Sequence, residues 1–316
     1  MEKIEAVTAE TLHHSKASDR PNVMPKRKRK IGDRPDGRKI RSLPPLNKVA
    51  PYIMPNRSGA SVYFKDSFEI TEVENYIRKK RKQGLKGFGI MHVLLAAYIR
   101  VVSQRPAVNR FLSGQKLYQR DDDIVVMLTI KRSMTLEAEE TIVKAHFRPT
   151  DTADDVYALL NRLIMDNRPE DSGSDFDGAA KILNYIPGIF LKFAVWFLKT
   201  LDYFGLLGKG LLEVSPFHGS FYVTSMGSLG IPPVYHHLYD FGNVPVFMSF
   251  GAKRKETERK ADGTEVVRKY VDYTVVCDER ICDGFYYASA FKLLKTLLRN
   301  PHELDVPPET VVRDVD

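Results

Sequence analysis

Seven consecutive residues, Asp278-Glu279-Arg280-Ile281-Cys282-Asp283-Gly284, place three carboxylates, a guanidinium and a thiol in one short turn. Such a set can take up a proton, clamp a charge through an ion pair, or offer a sulfur nucleophile. The flanks say where the turn sits. Val271, Tyr273, Val275 and Cys277 alternate with Asp272, Thr274, Val276 and Asp278, the two-residue period of a strand. Beyond Gly284, Ala288, Phe291, Leu294 and Leu298 recur at helical spacing, and Asn300-Pro301 stops the helix. The turn is therefore expected to join a strand to a helix, a common place for functional residues. Two other stretches carry candidate chemistry. Phe221 to Gly230 (FYVTSMGSLG) ends a strand in hydroxyl side chains and glycine, and PPVYHHLYDFG supplies His236 and His237, with His218 upstream.

Asp278, Arg280, Asp283 and Gly284 stand in the register Asp-x-Arg-x-x-Asp-Gly ahead of an apolar helix. This resembles the C-terminal signature of the 2-oxoacid dehydrogenase acyltransferase catalytic domain, whose distant relative is chloramphenicol acetyltransferase. FYVTSMGSLG resembles that family's oxyanion-binding segment, with Thr224 at the serine position, and Pro106, Asn109 and Leu112 match a further turn. The likeness runs from about Ser42 to Pro301 and is specific only in the two C-terminal motifs. It implies an α/β two-layer sandwich with a mixed sheet, a homotrimer with its site between subunits, and acyl transfer between coenzyme A and an unidentified acceptor. By the same resemblance Thr224 is the oxyanion donor and Asp283 the salt-bridged structural carboxylate. Ser225, Gly227 and Arg280 are expected to contact coenzyme A, with no bound lipoyl group and no metal.

The chain departs from that pattern at one position that matters: Glu279 stands where the family has its catalytic histidine. A free carboxylate titrates about 4 units below a thiol, so taking the thiol proton is roughly 6 kcal/mol uphill unless burial raises the carboxylate. Glu279 is thus either a tuned base, with His236 or His237 as substitutes, or a turn carboxylate in a salt bridge. The second outcome would make the chain a catalytically silent homologue that binds acyl-CoA or serves as an assembly scaffold. Cys282 reads as a buried, inert thiol.

The elements that must position these residues follow from the rest of the chain. Its 316 residues, 43% apolar and 28% charged, suffice for one large core. Two cysteines and no apolar leader point to a reducing, cytoplasmic setting. Most of the net charge of +8 lies in residues 1–50, which carry thirteen Lys/Arg and six Asp/Glu. Residues 1–41 are expected to form a basic, solvated arm, with 25–41 available to an anionic surface, and the near-neutral body argues against dedicated nucleic-acid binding. The catalytic domain is expected over 42–316. It should hold a strand over Ser61–Ile70, a helix from the capping box Thr71/Glu74 to about Lys82, an apolar helix over Phe88–Ser103, strands over Ile124–Arg132 and Thr141–Phe147, a helix from Pro149 to about Met165, a polar linker over Asp166–Asp177, and a hairpin turning at Ala261–Thr264. An apolar insert at about 182–212 is broken by Lys192, Lys199 and Asp202 and is too interrupted to span a membrane. It is expected first as a buried or interface helix, with an acyl-chain lining or an in-plane membrane helix as alternatives. No GxGxxG or P-loop pattern occurs, so nucleotide cofactors find no support.

Overall fold

A computed structural model describes residues 28–131, 140–166 and 187–316. In chain order the elements are β1 (Arg38–Lys39), α1 (Pro45–Ile53), β2 (Ser61–Glu69), α2 (Thr71–Lys82), α3 (Ile90–Gln104), β3 (Arg110–Ser113), β4 (Lys116–Gln119), β5 (Ile124–Lys131) and β6 (Glu140–Phe147). There follow α4 (Ala153–Asp166), α5 (Gly188–Phe204), α6 (Lys209–Val214), β7 (Phe221–Ser225), β8 (Val246–Arg259), β9 (Glu265–Asp278) and α7 (Gly284–Arg299). The main sheet runs β2-β9-β8-β7-β5-β6, parallel only at the β5/β7 and β7/β8 pairs, and a small sheet β1-β4-β3 lies beside it. This is the expected α/β fold with a mixed sheet.

Strand alternation divides the sheet into two faces. Val126, Leu128, Val223, Val246, Met248 and Val275 turn to a core shared with α2, α3, α4 and α7. Met127, Tyr222, Phe247 and Val276 turn the other way, where Leu238 and Val244 cover them. On the second face the extended segment through residues 231–244 straps the middle strands, and the short α6 lies against Lys144 and His146 of β6. Along α7 the buried side chains are Tyr287, Ala290, Leu294, Leu297 and Leu298. The stripe is thus rotated from the expected one, and Ala288 is exposed.

Other expectations change for reasons of long-range contact. Thr71 and Glu74 make no capping box: Ile70 precedes α2, and Glu74 reaches Lys253 at 2.6 Å and Lys269 at 2.8 Å on the neighbouring strands. Of the expected arm, residues 28–41 are woven into the fold. Arg38 pairs with Asp121, Ile40 is buried, and the buried Arg34 guanidinium contacts Asp202 at the end of α5 at 2.7 Å. The first 27 residues lie outside the described ones, as do the strand-to-strand connection 132–139 and residues 167–186, which include most of the polar linker.

The strap over the second face depends on one glycine. Gly242 has φ +84°, and a Cβ there would overlap the carbonyl oxygen of Phe217. Both penalties act together, so Gly242→Ala is expected to lower the unfolding free energy by about 2–4 kcal/mol. A urea midpoint within error of the parent's would refute this account of the strap.

Candidate active site

The strand-to-helix turn is held by buried charge. Asp278 is fully buried at the end of β9. One of its carboxylate oxygens accepts from the Arg280 main-chain N–H and Nε, and the other from Arg280 Nη2 at 2.7 Å. Arg57 Nε lies 3.3 Å from the same carboxylate. Both guanidinium groups have further acceptors: Arg280 donates to the carbonyls of Met54 and Pro55, and Arg57 to those of Tyr239 and Leu112. Burial pulls the Arg57 guanidinium below its ordinary value, opposed by Asp278. The ion-paired carboxylate of the motif is therefore Asp278. Asp283, expected in that role, is exposed and caps α7 by accepting from the Tyr286 N–H at 2.8 Å. Both cysteines are buried free thiols, and burial pushes Cys282 up to about 12, which leaves it protonated and inert.

Glu279 follows the buried Asp278 but turns outward and is exposed. Its main-chain N–H is fixed to the Ala60 carbonyl at 2.9 Å, so the position is rigid while the side chain remains in water. The single chain does not provide the desolvation that a carboxylate base for a thiol requires.

Thr224 sits at the far end of the sheet from Glu279. Register pairs Thr224 with Ser249 on β8, and Ser249 with Thr274 on β9. These three hydroxyls form a row across adjacent strands on the strapped face. Two of them hold the strap: Ser249 Oγ accepts from the Val234 N–H, and Thr274 Oγ1 donates to the Val234 carbonyl. The Thr224 hydroxyl, half-buried, has no hydrogen-bond partner among the described residues. Beyond it the strand gives way to a tight turn, Gly227–Leu229, seated on the β8 bulge between Phe250 and Lys253. Gly227 packs close to the Gly251 carbonyl, and the half-buried Ser225 lies beside it. Five residues along β9 and two strand spacings separate Thr224 from Glu279, ~17 Å along the strands and about 10 Å across them. One chain therefore does not bring them together.

The histidines divide three ways. His218 is buried, with Nδ1 2.7 Å from Ser215 Oγ and Nε2 3.3 Å from Asp202, and it belongs to the scaffold. His237 is exposed and meets Tyr239 edge-on. His236 lies flat on Phe247, with ring centroids 4.0 Å apart, and burial lowers its pKa. Its Nδ1 is 3.2 Å from the His237 carbonyl, which only accepts, so Nδ1 carries the hydrogen and Nε2 keeps the lone pair. Phe247 pairs with Tyr222, two residues before Thr224, so His236 stands over the Thr224 face one diagonal neighbour away, about 7–8 Å along the sheet.

A cavity of about 300 Å3 opens beside the turn, between Arg57, Arg280, Asp240, Lys199 and Tyr203. It is not legible in the sequence, because its walls come from five separate segments. Among the described residues no cluster of His, Cys, Asp or Glu is placed to hold a metal ion.

No family model and no curated protein matches the sequence. Solved structures do. A probable dihydrolipoamide acetyltransferase from Listeria monocytogenes superposes with a TM-score of 0.53 at 14% identity, over 82% of this chain and 95% of that one. The cubic core of a pyruvate dehydrogenase multienzyme complex gives 0.54 at 16% identity, over 84% and 94%. A dihydrolipoamide acetyltransferase from Azotobacter vinelandii gives 0.54 at 15% identity, also over 84% and 94%. With its sheet order, its buried Asp278–Arg280 turn and its hydroxyl-tipped β7, the chain has the fold of the 2-oxoacid dehydrogenase acyltransferase catalytic cores.

Proposed function

We propose that the chain transfers an acyl group between the thiol of coenzyme A and a second nucleophile. The free Thr224 hydroxyl carries this reading. It is a donor with no partner among the described residues, in a row whose other two members are occupied, at the end of β7. A tetrahedral oxyanion formed during acyl transfer needs such a donor. The reaction also needs a base for the thiol proton, and His236 is the group best prepared for it: a neutral imidazole with Nε2 unprotonated, over the same face. Glu279 reaches a Thr224 only if copies of the chain assemble, as in the trimer that the resemblance implies, with Glu279 of one copy against Thr224 of the next. Ser225, Gly227 and Arg280 remain the positions proposed to contact coenzyme A, and dihydrolipoamide is the first acceptor to try.

The exposed side chain at Glu279 favours a second reading, a silent homologue that binds acyl-CoA without turnover. Acyl exchange between acetyl-CoA or longer acyl-CoAs and a panel of thiols, amines and alcohols separates the two. Removing the base should lower the rate about 10²–10⁴-fold. The expected result is that loss in His236→Gln, with Glu279→Gln close to the parent in a monomeric preparation. Loss in Glu279→Gln instead would move the base to an inter-subunit site. Coenzyme A binding with no turnover on any acceptor would favour the silent homologue.

A further inference from the structure

The 17-residue apolar helix α5, Gly188–Phe204, is expected as a buried or interface helix, and burial within the chain does not account for it, since its only buried residue is Asp202. Leu191, Ala194, Leu198 and Leu201 are half-buried and face the fold. The helix is anchored at its C-terminal end, where Asp202 binds Arg34 and Ser113 and where a Cβ at Gly114 would overlap the Tyr203 carbonyl. Everything else points outward.

The outward surface is ordered by chemistry. At 100° per residue, Phe190, Phe193, Phe197 and Phe204 fall within about 60° of one another. Lys192 and Lys199 fall within about 20° of each other on the opposite flank. Trp196 and Tyr203 lie between the two rows. The phenylalanines are 48–66% exposed, and Trp196 is 58% exposed. Asp202, the one carboxylate of the helix, is turned inward on Arg34, so the outward face is cationic and aromatic without a negative charge. Arg34 also ties the segment carrying the exposed Lys28 and Arg29 to this end of α5.

We infer that α5 lies in the plane of an anionic lipid surface. The phenylalanine row fits the acyl boundary, Trp196 and Tyr203 the interface level, and Lys192 and Lys199 the phosphate level, with Lys28 and Arg29 adding to the attraction. The lysines weigh against a second protein as the occupant, since lysine is depleted at the centres of protein interfaces. No described helix is long and apolar enough to cross a membrane, so the contact is in-plane.

Trp196 is the only tryptophan of the chain, and it reports directly on this face. The full chain is titrated with vesicles of phosphatidylcholine containing phosphatidylglycerol and with vesicles of phosphatidylcholine alone. The expected result is a blue shift of Trp196 emission, quenching by brominated acyl chains, and co-flotation with the anionic vesicles that weakens with salt. Phe193→Ser and Phe197→Ser, both at exposed positions, should each weaken partitioning roughly tenfold. Lys192→Glu with Lys199→Glu should abolish the preference for anionic lipid while circular dichroism stays unchanged. Equal binding to both vesicle types would overturn the anionic assignment. So would an unshifted Trp196 with no flotation. A Trp196 shift that appears with protein concentration in the absence of lipid would give the face to a second copy and overturn the proposal as well.

Discussion

Asp278→Ala is expected to lower the unfolding free energy by about 3–5 kcal/mol, because it removes the carboxylate that two buried guanidinium groups share. Arg57 and Arg280 are 5% and 3% exposed, and each keeps its carbonyl acceptors when Asp278 is removed. Those carbonyl bonds survive, but Arg280 loses the three it donates to Asp278 and both guanidinium groups lose the shared carboxylate, a costly loss in a poorly solvated site. The neighbouring residue provides the contrast. Glu279 is exposed, and Glu279→Gln should stay within about 0.5 kcal/mol of the parent. The Glu74–Lys253 pair, with its lysine exposed and its carboxylate half-buried, should likewise be worth no more than about 1 kcal/mol. Urea titrations of Asp278→Ala and Glu279→Gln check the ordering. If Asp278→Ala shifts the midpoint no further than Glu279→Gln, the turn is not held by its buried ion pairs. The consequence for the site is positional: Asp278 fixes Arg280 and the start of α7, and so sets where Glu279 emerges.

The parts of this architecture that could be read from sequence are those written in local signals. The β8–β9 hairpin shows in two alternating runs around Ala261–Thr264, and α7 in an apolar period behind Asp283-Gly284. The resemblance at FYVTSMGSLG and at the Asp278–Gly284 turn located the ends of β7 and β9. What could not be read depends on partners far along the chain. Arg34 is separated from Asp202 by 168 positions, so residues 28–41 looked like a solvated basic arm. Glu74 has a good capping sequence, yet two lysines from neighbouring strands outcompete the helix terminus for its carboxylate. The apolar content of α5 says that water is a poor neighbour but not what replaces it, so sequence leaves burial, an interface and a membrane surface open, and only the structure shows that the chain's own core does not cover it. The outward turn of Glu279 was also hidden, because Asp278 and Arg280 use the two inward positions around it. That the Thr224 hydroxyl has no partner among the described residues, while Val234 engages Ser249 and Thr274 beside it, is likewise a tertiary fact.

That last fact yields the sharpest kinetic expectation. If the chain transfers acyl groups, Thr224→Ala should lower kcat about 10²–10³-fold, the usual cost of one oxyanion donor, with KM little changed. Thr224→Ser keeps a hydroxyl at the same strand position and should retain most of the rate. The two flanking hydroxyls give an internal comparison. Ser249 is buried, and its hydroxyl holds the Val234 N–H, so Ser249→Ala should cost about 1–3 kcal/mol of stability. Thr224 is half-buried and its hydroxyl has no partner among the described residues, so Thr224→Ala should leave the unfolding midpoint nearly in place. Activity and stability are thus expected to separate between two residues paired directly across adjacent strands. Turnover by Thr224→Ala equal to the parent's, measured on the acceptor that the parent uses best, would remove Thr224 from the reaction. A loss in Thr224→Ala that Thr224→Ser does not recover would show that the methyl packing, and not the hydroxyl, is what the site requires.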